Sequence, residues 1–165
     1  MTQVLAARAG QVTLEMEAVA ARENIDVEII RAGVAAGTIV IPKNKNRKQI
    51  NPCGIGQGLR IKVNALIGTS SDRDDLEMEK RKLMIAQNAG CDTFMDLSTG
   101  GDIDGMRQLT LSTVSVPVGG VPVYQAGIEA IEKRGSIVAM QEDDIFTAVE
   151  KQAAAGVDFM AIHSA

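Results

Sequence analysis

From residue 60 onward, short apolar runs rich in β-branched residues alternate with longer segments in which apolar positions recur every three to four residues. The first spacing is typical of buried strands and the second of amphipathic helices. Repeated strand–helix units predict a parallel sheet with right-handed crossovers, hence an α/β fold. The predicted strands cover residues 60–67, 92–97, 116–122 and 157–162, and the predicted helices cover residues 74–88, 103–111, 124–133 and 143–155.

Polar and small residues follow the predicted strands, at residues 66–71, 96–101, 120–124 and 163–165. In a parallel sheet these carboxyl ends share one edge, which is where α/β proteins bind ligands. The exit Ser98-Thr-Gly-Gly101 before a helix is a candidate anion nest, and Asp102 can cap that helix. Asp96 is either a base or the acceptor that holds a loop, and we favour the second role.

The first 58 residues have a different character. Thr13 and Asp26 can cap helices over residues 14–22 and 27–36, and a β-branched strand is predicted at 38–41. The basic run at 43–48 predicts a solvated loop or a surface facing the rest of the protein, in preference to an anion contact. The glycines at 51–58 precede a strand, so they do not form a dinucleotide loop. We therefore divide the chain into an N-terminal region, 1–58, and a sheet region, 59–165.

The predicted fourth strand has no helix after it, and both outer strands would expose long edges, which globular proteins avoid. We therefore expect the chain to be the N-terminal piece of a longer protein, cut halfway round a barrel. The alternatives are a complete four-stranded domain or a half-barrel that pairs with itself.

Composition narrows the function. With 45% hydrophobic and 23% charged residues, the 165-residue chain is globular. A net charge of −4 and aromatic residues at 2% argue against nucleic-acid binding. The absence of a signal peptide or an 18-residue apolar run predicts a cytoplasmic protein without a membrane partner. Cys53 and Cys91 lack CxxC spacing, so no metal site is predicted within the chain.

Three side chains stand out near the shared edge. His163, the sole histidine, can bond a substrate oxygen or shuttle a proton, or it can be structural. Tyr124 can orient a ligand or cap the core. By periodicity alone, Met95 is core packing. No residue is identified as catalytic.

The ordered motifs resemble one known family. They are KVNALIGTS from Lys62, DTFMDLSTGG from Asp92, VPVYQA from Val121 and GVDFMAIH from Gly156. Together with the early ARAG and GTIVIP segments, they resemble the phosphomethylpyrimidine synthase family of thiamine biosynthesis over essentially the whole chain. The resemblance implies a (βα)8 barrel, of which residues 59–165 would be the first half, after a small N-terminal region and before a helical C-terminal part.

The resemblance also implies radical S-adenosylmethionine chemistry. A [4Fe–4S] cluster bound by a C-terminal CxxCxxxxC motif would cleave the cofactor, and later histidines would hold a zinc or iron ion. All these ligands are expected beyond residue 165. The implied substrate is 5-aminoimidazole ribotide, the implied assembly is a homodimer, and this piece alone is expected to be inactive.

Carried over residue by residue, the resemblance makes Met95, Tyr124, His163 and Asn64 substrate contacts, which reverses the packing interpretation of Met95. Three positions depart from the family pattern. Leu66 replaces an asparagine, Gly120 lacks a threonine hydroxyl, and Ser164 stands where a glycine is expected. The loss of an amide at Leu66 would leave a buried partner unsatisfied.

These departures leave three functions open. The first is the thiamine pyrimidine synthase. The second is the 5-hydroxybenzimidazole synthase branch, which makes the cobamide lower base from the same ribotide. The third, from another class, is a binding or assembly module without catalysis.

Overall fold

The structure is a computed structural model that describes residues 1–162. The helices are α1 (Gln3–Arg8), α2 (Leu14–Glu23), α3 (Val27–Ala36), α4 (Leu76–Asn88), α5 (Ile103–Thr113), α6 (Pro122–Arg134) and α7 (Glu142–Ala155), with a 3₁₀ turn at Ile137–Ala139. The strands are β1 (Ile39–Val40), β2 (Ile55–Gly56), β3 (Asn64–Ile67), β4 (Thr93–Asp96), β5 (Val118–Gly120) and β6 (Phe159–Met160). Among these residues, no helix combines the length and apolar character needed to cross a bilayer.

The N-terminal helices form as their caps predict. The Thr13 hydroxyl accepts the N–H of Met16, and the Asp26 carboxylate accepts that of Glu28. Gly37 ends α3 in the left-handed conformation. The helices enclose a core of their own, centred on Met16 and Ile30, both fully buried.

The glycine-rich segment 51–58 pairs with the short strand that precedes it in the chain. Its Ile55–Gly56 pairs antiparallel with Ile39–Val40, a two-residue ladder that the sequence did not predict. Gly56 has φ 152°, and a Cβ there would lie 2.1 Å from the Thr38 carbonyl oxygen. The glycine is therefore required by the close approach of two backbones.

The main sheet is parallel throughout, as predicted, and its strands are in the order β3–β4–β5–β6. All four strands are shorter than predicted. In the register of the sheet, β3 pairs with β4 from Asn64 onward. Residues 60–63 extend past the point where β4 begins, so no strand lies beside them to form a continuous ladder. Pro122 lies in the first turn of α6 instead of in β5, because its missing N–H is tolerated there.

One face of the sheet is covered by helices. Phe94 and Val118 point to this side and are fully buried against Leu83 of α4 and Met106 of α5. The opposite face, defined by Asn64, Leu66, Met95, Gly119 and Phe159, is here called the open face. In-register neighbours share a face, and the register pairs Leu66 with Met95, Met95 with Gly119, and Gly119 with Phe159.

Two buried aspartates join the N-terminal region to the amino ends of the strands. Asp92, before β4, accepts hydrogen bonds from Arg22, Arg60 and the Val63 N–H. Although burial acts against it, the Arg60 guanidinium and the Val63 N–H lower the pKa of Asp92. This network fixes the packing of α2 beneath the sheet.

Asp158, before β6, repeats the arrangement. Its carboxylate accepts hydrogen bonds from Arg47, from the Asn44 N–H and from the Val118 N–H. Arg47 comes from the basic run at 43–48, and it also donates to the carbonyls of Val116 and Val114. The expectation that this run faces the rest of the protein is confirmed for Arg47, whereas Lys45 and Lys48 are exposed.

Candidate active site

The two loops that leave β3 and β4 are hydrogen-bonded to each other, and we call them the exit-loop wall (residues 67–71 and 96–101). The Leu97 N–H donates to the Ile67 carbonyl over 2.8 Å, and the Thr99 N–H donates to the Thr69 carbonyl over 2.8 Å. The Thr69 hydroxyl donates to the Gly100 carbonyl over 2.7 Å. The parallel pairing thus continues past the strands, so the wall is a rigid surface and not a pair of free loops.

Asp96 stabilises the wall from below. Its Oδ1 accepts the Ser98 N–H at 3.0 Å and the Ser98 hydroxyl at 2.5 Å. Burial raises the pKa of the Asp96 carboxyl, while the Ser98 hydrogen bonds and the charge of Arg107 act in the opposite direction. The expected loop-holding role is confirmed. Two donors of the proposed anion nest are therefore occupied, because the Ser98 N–H donates to Asp96 and the Thr99 N–H donates to the Thr69 carbonyl.

A second buried carboxylate holds the β3 exit, and sequence reasoning missed it. Glu79 is 3% exposed and accepts the Gly68 N–H at 3.1 Å. It lies in a run of charged residues in α4, a composition that is usually typical of an exposed helix face. Position 79 follows Leu76 and precedes Leu83 at helical spacing, and that spacing was the available signal.

The open face of the sheet carries two of the predicted substrate contacts. Asn64 is exposed and accepts a hydrogen bond from the Thr93 hydroxyl at 2.9 Å. Met95 is half-buried, directly beside Leu66, which is 62% exposed. Met95 therefore lies outside the helix-covered core. Asn64 begins β3, and Leu66 lies two residues further along the strand. Asn64 is therefore farther than Leu66 from the carboxyl edge of the sheet.

Gly119 has no side chain, and this leaves space on the open face for the side chains of Met95 and Phe159. A Cβ at this position would lie 2.4 Å from Cε2 of Phe159 and 3.0 Å from Sδ of Met95. The ring and the thioether therefore approach each other across a strand without a side chain between them. Sulfur and aromatic edges attract weakly, which favours this arrangement.

Tyr124 lies in the first turn of α6, just past the carboxyl end of β5, and is 37% exposed. It is at the same edge of the sheet as the exit-loop wall. His163 and Ser164 lie outside the described residues. The predicted convergence of Met95, Tyr124 and His163 stays a prediction.

The described residues do not supply a metal centre. Within residues 1–162, no group of three or more His, Cys, Asp or Glu side chains could hold a metal ion. Cys53 and Cys91 are both buried and unpaired, and burial raises the pKa of each thiol.

Comparison with known proteins gives the family. The sequence model of the Radical SAM ThiC family matches residues 2–165. A protein from Moorella thermoacetica named 5-hydroxybenzimidazole synthase BzaB is 74% identical over 165 residues, which is 100% of this chain and 39% of the relative. A phosphomethylpyrimidine synthase from the same organism is 54% identical over 163 residues, 99% of this chain and 38% of the relative.

A phosphomethylpyrimidine synthase from Desulforudis audaxviator is 56% identical over 164 residues, again 99% of the chain and 38% of the relative. The chain thus spans about two fifths of the length of the curated relatives it matches. The matched residues include every motif named above, and they also include the residues that form the open face and the exit-loop wall. The chain belongs to the radical SAM ThiC family.

Proposed function

We propose that the protein containing this chain is a radical S-adenosylmethionine enzyme that converts 5-aminoimidazole ribotide to 4-amino-5-hydroxymethyl-2-methylpyrimidine phosphate. The observation that carries this proposal is the family match over residues 2–165. Relatives named phosphomethylpyrimidine synthase, at 54% and 56% identity, support it.

The proposed fold is a (βα)8 barrel, of which residues 59–165 form the first half. Its support is a four-stranded parallel sheet with helices on one face and an open opposite face. In a closed barrel, such a face lines the interior and the outer strands find partners. Residues 1–58 would then close the amino ends of the strands, where Asp92 and Asp158 bind their arginines.

The proposed substrate contacts are Asn64, Met95, Tyr124 and His163. Met95 offers a thioether that packs against a flat heterocycle, and Tyr124 offers a phenol at the carboxyl edge. Asn64 accepts from the Thr93 hydroxyl through Oδ1, so its amide N–H groups face the open side as donors. His163 would add an acid–base group at the end of the fourth strand.

The proposed cofactors are a [4Fe–4S] cluster and S-adenosylmethionine, with a zinc or iron ion. We place all these ligands outside the described residues, among which no group of three or more His, Cys, Asp or Glu side chains could hold a metal ion. We further propose that the protein is a cytoplasmic homodimer. Its substrate is a small-molecule ribotide, and it binds neither nucleic acid nor a membrane.

A second candidate is 5-hydroxybenzimidazole synthesis from the same ribotide. Two relatives with that name are 74% and 59% identical to the chain. The structural observation that favours it is Leu66, whose side chain is 62% exposed on the open face beside Met95. An alkyl group there removes an amide from the proposed pocket, which changes what the substrate can bond.

The decisive experiment expresses the complete reading frame and reconstitutes the cluster anaerobically. The reconstituted protein is then supplied with 5-aminoimidazole ribotide, S-adenosylmethionine and a reductant, and the products are identified by mass spectrometry. The pyrimidine phosphate supports the first candidate, a benzimidazole supports the second, and neither product with intact cofactor cleavage refutes both. The 165-residue chain alone is expected to give no turnover, and turnover by it would refute the placement of the cofactor ligands.

Leu66→Asn tests whether this position shapes the pocket. We expect the KM for the ribotide to change by about tenfold, the effect of one hydrogen bond of roughly 1.4 kcal/mol. Ile61→Asn is the matched control, because Ile61 is 92% exposed and precedes the strand. Equal kinetics for the two variants would remove Leu66 from the pocket.

A further inference from the structure

A small, partly open cavity lies behind the carboxyl ends of β4 and β5, on the helix-covered face. It offers about 10 Å³ to the centre of a water-sized sphere, and its wall includes Asp96, Arg107, Gly120, Gln125 and Gln152. A cavity of this volume accommodates about one water molecule. All three side chains from the helices, Arg107, Gln125 and Gln152, are no more than 3% exposed.

Hydrogen bonding fixes the orientation of the two amides. A guanidinium only donates, so Gln125 must turn its Oε1 toward Arg107, as observed. The same Oε1 accepts from Nε2 of Gln152 at 3.2 Å. Gln152 Oε1 must therefore point the other way, because a flipped Gln152 would place its Oε1 against the Oε1 of Gln125.

Gln152 Oε1 is consequently an acceptor without a donor. Among the described residues, it is the buried side-chain oxygen or nitrogen that has no hydrogen-bond partner. A Cβ at position 120 would lie 2.3 Å from it, so the oxygen occupies space that only glycine leaves open. An unsatisfied buried acceptor costs roughly 1–3 kcal/mol, which a native fold normally avoids.

The wall also decides what kind of ligand fits. The Arg107 guanidinium disfavours a cation, and the Asp96 carboxyl with Gln152 Oε1 disfavours an anion. A neutral molecule that both donates and accepts meets all of these groups. We propose that this cavity is a binding site for one ordered water molecule, which donates to Gln152 Oε1 and connects the exit-loop wall at Asp96 to α5, α6 and α7.

The proposal is independent of the reaction, since it rests only on the cavity and its polar groups. It makes Gln152 a positioning residue for the Gly119–Val121 turn, where β5 passes into α6 and Tyr124. The water would support the proposed pocket from behind, without contact with substrate.

The direct test is a high-resolution crystal structure of the complete protein. We expect a fully occupied water with low displacement, about 2.5–3.0 Å from Gln152 Oε1, as in ordinary O–H···O hydrogen bonds. An empty cavity in a map that resolves other buried waters would overturn the proposal, and so would density of a heavier ion.

A solution test uses Gln152→Met, which has a similar shape but lacks the acceptor. If water satisfies the amide, the variant loses hydrogen bonds and its melting temperature falls by about 2–4 °C, as one net hydrogen bond predicts. If the oxygen has no partner at all, relief of its desolvation outweighs the lost Nε2 bond to Gln125 Oε1, which Arg107 still satisfies, and the melting temperature rises. Gln108→Met, at an exposed position on α5, is the matched control and should melt like the parent protein. A rise for Gln152→Met relative to this control would refute the water site.

Discussion

The ion pair between Arg47 and Asp158 should be a main attachment of the N-terminal region to the sheet. The two side chains are 9% and 0% exposed, and Nη1 lies 2.6 Å from Oδ2. Arg47→Met keeps an apolar stem but leaves the Asp158 carboxylate buried beside two backbone N–H groups. Removing one partner of a buried pair costs about 3–5 kcal/mol, because the remaining charge is uncompensated.

Hydrogen–deuterium exchange of the complete protein measures this cost locally. The N–H groups of Asn44 and Val118 donate to Asp158, so both should exchange faster when that end opens. A loss of about 3 kcal/mol corresponds to exchange roughly 150-fold faster, provided that local opening is the route of exchange. The effect should appear in peptides that cover these two residues.

The neighbouring Lys48→Met is the control, because Lys48 is exposed and forms no ion pair among the described residues. It should leave exchange unchanged. The double variant Arg47→Met, Asp158→Asn should exchange more slowly than Arg47→Met alone, since the buried charge is gone while one acceptor remains. Indistinguishable exchange in Arg47→Met and Lys48→Met would refute the reasoning.

Three further predictions concern acidity, catalysis and packing. The hydrogen bond from Lys43 lowers the pKa of Glu15 from 4.5 to about 2, so its stabilising contribution is present above about pH 4.5 and is lost as the pH falls toward 2. Glu15→Gln should therefore lower the melting temperature near neutral pH and converge with the parent protein in acid; a constant difference would contradict this. Asp96→Asn keeps an acceptor for Ser98, so turnover should stay within about tenfold, whereas a loss of 10²–10⁴ would indicate a general base. Gly119→Ala places a Cβ 2.4 Å from the Phe159 ring. The free energy of unfolding, measured in denaturant melts, should therefore fall by about 1–3 kcal/mol, and the KM for the ribotide, measured in steady-state kinetics, should rise. No change in either quantity would contradict this prediction.

Local chemistry was readable from the sequence wherever neighbours along the chain decide it. The Asp102 carboxylate caps α5 through the Gly105 N–H, and Gly37 ends α3, as predicted. Caps and stops involve residues within about one turn, so the pattern contains the whole interaction. The alternation of strand and helix likewise predicted that the strands of the main sheet are parallel.

Strand ends and buried charges were less predictable. Residues 60–63 have strand composition, but a ladder needs a neighbouring strand of matching length, and β4 starts too late. In α4 the apolar Ile85 is 69% exposed, whereas the charged Glu79 is buried. The buried side of a helix depends on what lies opposite, and Gly68 offers Glu79 an N–H that no local pattern reveals.

The sequence by itself determined the alternating helices and strands of the main sheet, the parallel direction of those strands, the family and four residues proposed to contact substrate. Only the tertiary structure showed that Met95 and Asn64 share an open face, that Arg47 is buried against Asp158, and that Gln152 lacks a donor above Gly120. The physical reason is the separation of the partners along the chain. Arg47 and Asp158 are 111 residues apart, so their pairing depends on how strands and helices pack and on no local signal.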